Sequence, residues 1–133
     1  MINCHVNMKY SKEVKNLKYD DVIELLLIEF PEIATYLKEE EYLQGLPHCI
    51  FGICFVTFVE KLCGDSREKD LSKVGFFLEK LEMFGDNKIK ELVNVSFLEP
   101  FVYGNEKKEV MYLRSFLGKE TKKDLDCWLE GRQ

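Results

Sequence analysis

The sequence predicts an all-α fold, a single compact bundle of about six to seven helices, partly arranged as HEAT-like antiparallel hairpins. Three observations carry this. Apolar residues recur at helical spacing from Tyr19 onward. Glycine or proline punctuates the segments at Pro31, Gly45, Gly64, Gly85 and Gly118. No alternating pattern suggesting strands follows residue 20, and no sequence repeat of fixed period is present. At 133 residues and 46% hydrophobic content the chain suits one domain with a substantial core. Residues 1–18 read as a polar arm and 19–133 as the helical domain.

The first helix is expected from Tyr19. Asp20 and Asp21 suit the positive end of the helix dipole, and Val22, Leu25, Leu26 and Phe30 form the apolar face. Pro31 ends it and opens the second helix, in which Ile33 and Leu37 face inward while Glu32, Thr35, Glu39 and Tyr42 line another side. Gly45 is the expected stop. The third helix runs from Pro47 to Leu62. Its apolar residues, from Ile50 to Val59, cover it nearly all round, which places it at the centre.

After Gly64, Asp65-Ser66-Arg67-Glu68 reads as a capping box for a fourth helix with the stripe Leu71, Val74, Phe77, Leu78 and Leu81, ending at Gly85. Asp86 is the expected cap of a fifth helix carrying Ile89, Leu92, Val93, Ser96 and Phe97 and ending before Pro100. The segments 66–84 and 87–98 should form one HEAT-like hairpin. A sixth helix spans Glu106 to Leu117. The last begins near Thr121, where Thr121-Lys122-Lys123-Asp124 resembles a cap, and Trp128, the only tryptophan, should dock it on the core. Met83, Phe84, Phe97 and Phe101 read as core or loop anchors.

Charge and composition exclude several function classes. The net charge of −5 and pI of about 5.2 argue against a nucleic-acid module, since such domains are usually basic. Residues Met1 to Tyr10 lack the apolar stretch of a signal peptide. Tyr42 to Val59 carries no formal charge, but its truly apolar part, Cys49 to Val59, is too short to span a bilayer, so no membrane association is expected. Five cysteines, odd in number and without a CxxC pair, suit reduced, packed thiols and a cytoplasmic location.

Catalytic and metal chemistry find little to build on. Cys4-His5 and His48-Cys49 could together offer four zinc ligands, but they lack the tight spacing of structural zinc knuckles, and no cofactor is expected. His48 could act as a base and Cys49 or Cys54 as a nucleophile, yet no third group or known catalytic signature accompanies them. The chain reads as a binding protein, not an enzyme.

The strongest signal is acidic. From Asp20 to Glu41 eight carboxylates face only Lys38, a local charge of −7 that leaves +2 for the rest of the chain. Such a block repels nucleic acid and anionic membrane and attracts a basic protein. A run such as Glu39-Glu40-Glu41 is ordinarily a solvated helix face. Here the acid extends over two helices and has Tyr36 and Tyr42 among it, and tyrosine is enriched at binding hot spots. The expected partner-binding face is therefore Asp20, Asp21, Glu24, Glu32, Tyr36, Glu39, Glu40 and Tyr42.

Leu46-Pro47-His48 followed by Phe51-Gly52, the amphipathic helix ending at Met83-Phe84-Gly85-Asp86, and Glu91-Leu92-Val93-Asn94-Val95-Ser96-Phe97-Leu98-Glu99 carry a resemblance. This stretch, Tyr19 to Phe101, resembles small helical bacterial immunity proteins of contact-dependent growth inhibition and related polymorphic toxin systems. The resemblance implies a cytoplasmic protein that binds and neutralises a cognate toxin domain, commonly a ribonuclease. An acidic inhibitor fits, because a ribonuclease site is basic in order to hold phosphate. The competing expectation is a helical adaptor or scaffold that binds another basic cytoplasmic partner.

Overall fold

The chain is described by a computed structural model covering residues 17–39 and 46–132. Within these residues there are seven helices and no strand. A single 3₁₀ turn, Tyr19–Asp21, leads into α1, Val22–Glu29. It is followed by α2 (Ile33–Glu39), α3 (Pro47–Gly64), α4 (Glu68–Phe84), α5 (87–104), α6 (Lys107–Arg114) and α7 (Lys119–Arg132). The all-α expectation holds. The expected Gly45 stop, and most of the N-terminal arm, lie outside the described residues.

Pro31 separates α1 from α2 as expected. Phe30 leaves helical geometry at φ −133°, ψ 74°, because a residue before proline is driven out of the α region. The backbone then re-enters helix through consecutive i→i+3 bonds from Ile33, Ala34 and Thr35. Val22, Leu26, Phe30, Ile33 and Leu37 are all buried, so the two short helices lay one apolar edge on α3.

Helix α3 occupies the centre. Ile50, Phe51, Cys54, Phe55, Val56, Phe58, Val59 and Leu62 are buried. By length and composition it alone among the described helices could cross a membrane, and half of its 18-residue window is buried inside the bundle. Phe55 is the hub of an aromatic cluster, with ring centroids 5.9 Å from Phe30, 5.2 Å from Phe51, 6.0 Å from Phe77 and 4.8 Å from Phe97. Edge-to-face and tilted pairs at such distances add to the burial itself.

The main departure from expectation is the winding of α3 and α5. Ile50–Phe55 and Leu92–Leu98 are wide π-helical segments, with i→i+5 bonds such as Val56 N–H to the Phe51 carbonyl and Glu99 N–H to the Asn94 carbonyl. The two pack against each other. At their crossing Gly52 comes so near that a Cβ there would sit 3.3 Å from the Ser96 carbonyl oxygen. The wide turn also corrects the expected end of α5 before Pro100. In an α-helix the proline ring would clash with the carbonyl four residues back. After the π segment Pro100 falls instead in the opening turn of the next α-helical stretch, Glu99–Gly104, and the helix runs through it.

Helix junctions correct two expected caps. The Asp65–Glu68 capping box does not form, because Asp65 and Ser66 are used to end α3. Ser66 adopts φ 54°, its amide bonds Cys63 O at 3.2 Å, and Arg67 N–H bonds Leu62 O at 3.0 Å, a Schellman closure with serine in the usual glycine position. Arg67 then precedes α4 with no side-chain cap. Likewise Thr121 does not cap α7. The helix starts at Lys119 and Thr121 is buried within it. Helix α6 stops at Arg114, short of Leu117, where its final turn presses on α4: a Cβ at Gly75 would lie 1.9 Å from the Phe116 carbonyl oxygen.

Other expectations hold. Leu71, Val74, Phe77, Leu78 and Leu81 are buried, and α4 ends at Gly85. Asp86 Oδ1 accepts from Ile89 N–H at 2.9 Å and caps α5. Glu82 faces Asn94 across the two-residue junction, which shows α4 and α5 as an antiparallel hairpin. Trp128 is half-buried and donates from Nε1 to Asn94 Oδ1 at 3.1 Å. Phe97 and Phe101 are fully buried, whereas Met83 is exposed.

Candidate partner-binding face

Burial of Val22 and Leu26 turns the opposite side of α1 outward. Asp20, Asp21 and Glu24 are exposed there, and no ion pair joins any of them to another described residue. Burial, with charge from Asp20 and Glu91, pushes the Tyr19 phenol up. Lys88 Nζ stands 5.9 Å from the Tyr19 ring centroid, and Lys18, Tyr19 and Asp20 border an open cavity of about 420 Å³ with Asp86, Asn87 and Lys88.

The acids further along are engaged within the fold. Glu29 lies 3.9 Å from Lys80, whose side chain is 12% exposed, and its carbonyl accepts from Lys73 at 3.3 Å. Burial lowers the Lys80 pKa and Glu29 opposes the shift. Glu32 contacts Arg67 at 3.3 Å, and Arg67 is also held by Asp70. Both pairs spend part of the block's charge internally, and the exposed Glu32–Arg67 pair contributes little to stability.

The structure thus divides the expected face. Glu32 and Tyr36 line a cavity of about 300 Å³ together with Thr35, Phe58, Lys61 and Arg67, a lining of mixed charge. Asp20, Asp21 and Glu24 stand at the other end of the α1–α2 pair. Glu39 is the last residue of α2, while Glu40 and Tyr42 lie outside the described residues.

The sequence pattern of acids did not single out three exposed apolar side chains beside this face. Ile28 is 69% exposed, Phe76 65% and Met83 56%. The signal was present: Ile28 falls off the Val22–Leu26–Phe30 edge, and Phe76 and Met83 fall off the buried stripe of α4.

Other polar groups serve the interior. His48 Nδ1 and Ser96 Oγ are 2.5 Å apart, tying the first turn of α3 to the π segment of α5; no described carboxylate orients the ring. Cys54 is buried in the core, and Cys49 is half-buried. Burial, then Glu109 and Glu60, push the Cys63 thiol up to about 11, which disfavours the nucleophilic thiolate. Among the described residues no three His, Cys, Asp or Glu side chains converge as a metal site. Cys4 and His5 lie outside the described residues.

The most elaborate network is structural. Asn94 Nδ2 donates to Asp124 at 3.0 Å and to the Lys90 carbonyl at 3.0 Å, and it approaches Glu82 at 3.5 Å. Glu82 is buried, and its carboxyl is pushed up to about 9 by burial, by its hydrogen bond to Asp124 and by the charges of Asp124 and Glu79, with Lys90 opposing. Its proton is therefore retained at neutral pH.

Residues 23–133 match the profile of a domain family of unknown function, DUF7674. No curated protein and no solved structure matches the chain significantly.

Proposed function

The chain belongs to the DUF7674 family of domains of unknown function, and we propose that it is a cytoplasmic, non-catalytic binding protein that neutralises a basic cognate toxin, in the manner of an immunity protein. The observation that carries this reading is the exposed acidic edge of Asp20, Asp21 and Glu24, whose charge no described residue offsets by an ion pair. A ribonuclease must hold phosphate in a basic cleft, so carboxylates presented on the Tyr19–Asp21 turn and the first turn of α1 can occupy the place of the substrate's charge. Tyr36 adds a half-buried contact surface near the α2 end. Glu29 and Glu32 are set aside from the interface because Lys80 and Arg67 already engage them.

The test is co-expression with the product of the reading frame directly upstream. A one-to-one complex, and cells rescued from a product that kills when expressed alone, are the expected results. A harmless upstream product that does not bind would overturn the proposal.

A further inference from the structure

Long side chains, not close backbone packing, connect α1 to α4, and the order of these links is antiparallel. At one end Lys18 and Asp20 border the same cavity as Asp86 and Lys88; at the other Glu32 meets Arg67. Between these ends Lys73 and Lys80 of α4 both reach the C-terminal end of α1. Lys73 Nζ lies 5.5 Å from the Phe30 ring centroid, and Lys80 approaches Glu29. Phe76 sits between the two lysines, 4.9 Å from Lys80 Nζ, and so flanks Glu29 on one side while Ile28 adjoins it in sequence. Met83 is two turns beyond Phe76, toward the end where Asp21 and Glu24 stand.

The outcome is a seam with exposed apolar side chains on both helices, Lys80 against Phe76, and an end where Asp20, Asp21, Glu24 and Asp86 outnumber Lys18 and Lys88. Single exposed apolar residues need no explanation, but several large ones along one seam mark an interaction surface. The strip explains what the acids cannot. Rim charge steers an encounter and sets its rate, whereas affinity comes from apolar anchors that lose water. The spacing of Phe76 and Met83 at i and i+7 matches the apolar stripe of a facing helix.

We propose that the α1–α4 seam is a docking groove for an amphipathic helix of the partner, whose apolar stripe covers Ile28, Phe76 and Met83 and whose lysines or arginines lie over Asp20, Asp21 and Glu24. This rests on the reading of the acidic α1 edge as the partner-binding face. Charge complementarity selects a basic helix over an acidic one, and the apolar strip separates it from a merely cationic loop.

The test uses the full chain and a fluorescein-labelled 18-residue helical peptide of leucine and lysine, with a leucine–glutamate peptide of the same pattern as control. The lysine peptide should bind and the glutamate peptide should not. Ile28→Ser with Phe76→Ser, which removes the apolar contacts without adding charge, should weaken binding at least tenfold. The milder Ile28→Ala with Phe76→Ala should weaken it less and, with circular dichroism, confirm that the fold is retained. Asp21→Lys with Glu24→Lys should weaken it at least tenfold at low salt. Loss of binding in the charge variant but not in either apolar variant would overturn the groove and leave the acidic-face reading standing. A wild-type dimer in sedimentation that the apolar variants dissolve would overturn it in favour of a second copy of this chain. Rescue from the upstream toxin by a chain that ignores both peptides would also overturn the groove while sparing the inhibitor reading.

Discussion

Glu79 on α4 caps α7 through Thr121: the Thr121 amide and hydroxyl both donate to Glu79 Oε1, at 3.0 and 2.7 Å. Glu79 Oε2 takes the Glu120 amide at 3.0 Å. The first turn of α7 thus has its orphan amides satisfied by a carboxylate 42 residues earlier, at the end of the helix dipole that favours negative charge.

Removal of that carboxylate should therefore loosen α7 specifically. Glu79→Ala is expected to lower stability by about 2 kcal/mol. Native-state hydrogen exchange should show the loss of protection concentrated in α7, with Glu79→Gln recovering part of it. Uniform loss across α3 and α4 would contradict the capping role.

Glu82 makes stability depend on pH in the direction opposite to most acids. Its folded-state pKa is raised from 4.5 to about 9, so between those values the folded chain holds a proton that the unfolded chain has released. Its contribution is complete below the lower value and is lost as pH rises to the upper one, at up to about 1.4 kcal/mol per pH unit. Denaturant midpoints of the wild type should fall across this window, and Glu82→Gln, which keeps a neutral hydrogen-bonding side chain, should flatten the decline. The groups facing Glu82 are Asp124 on α7, Glu79 on its own helix and Lys90 on α5. An unchanged slope would assign the dependence elsewhere.

Ser66 carries a left-handed backbone at φ 54° without the freedom of glycine. Ser66→Gly should relieve that strain and raise stability by about 0.5–1 kcal/mol, less the extra chain entropy glycine brings to the unfolded state. Thermal unfolding would register this as an increase of about 3 °C. A lower midpoint would show that the serine side chain contributes more than its backbone costs.

Reversal of the exposed acids tests the proposed face through kinetics. Asp21→Lys with Glu24→Lys should slow association with the proposed basic partner at least tenfold at low salt, and about 0.5 M salt should largely erase the difference by screening. Stopped-flow association rates of variant and wild type provide the measurement. Glu32→Gln, which removes a charge already paired with Arg67, should change the rate far less.

Much of this was legible in the chain. Pro31, Gly85 and Asp86 act locally, so their roles as breaker, stop and cap follow from neighbours a few residues away, and the α4 stripe fixed its buried side by period alone. The wide turns were not legible, because Ile50 to Val59 is apolar nearly all round and no face exists whose slippage would betray an extra residue. Capping of α7 by Glu79 was hidden for another reason: donor and acceptor meet only after α4 and α7 pack. The same holds for the acidic block, where sequence counts charge but cannot see that Lys80 and Arg67 return to Glu29 and Glu32. Asp20, Asp21 and Glu24 were readable, since their position opposite Val22 and Leu26 places them outward.

Pro100 has an effect that reaches beyond its own helix. Were Leu92–Leu98 to tighten into ordinary α winding, the proline ring would strike the Ser96 carbonyl, and the rod would snap there. The broad coil thus agrees with the covalent connectivity as well as with the neighbour it packs against. That same carbonyl is what Gly52 approaches on α3. One imino acid thereby favours the gauge of α5, and with it the seat on which the central rod lies.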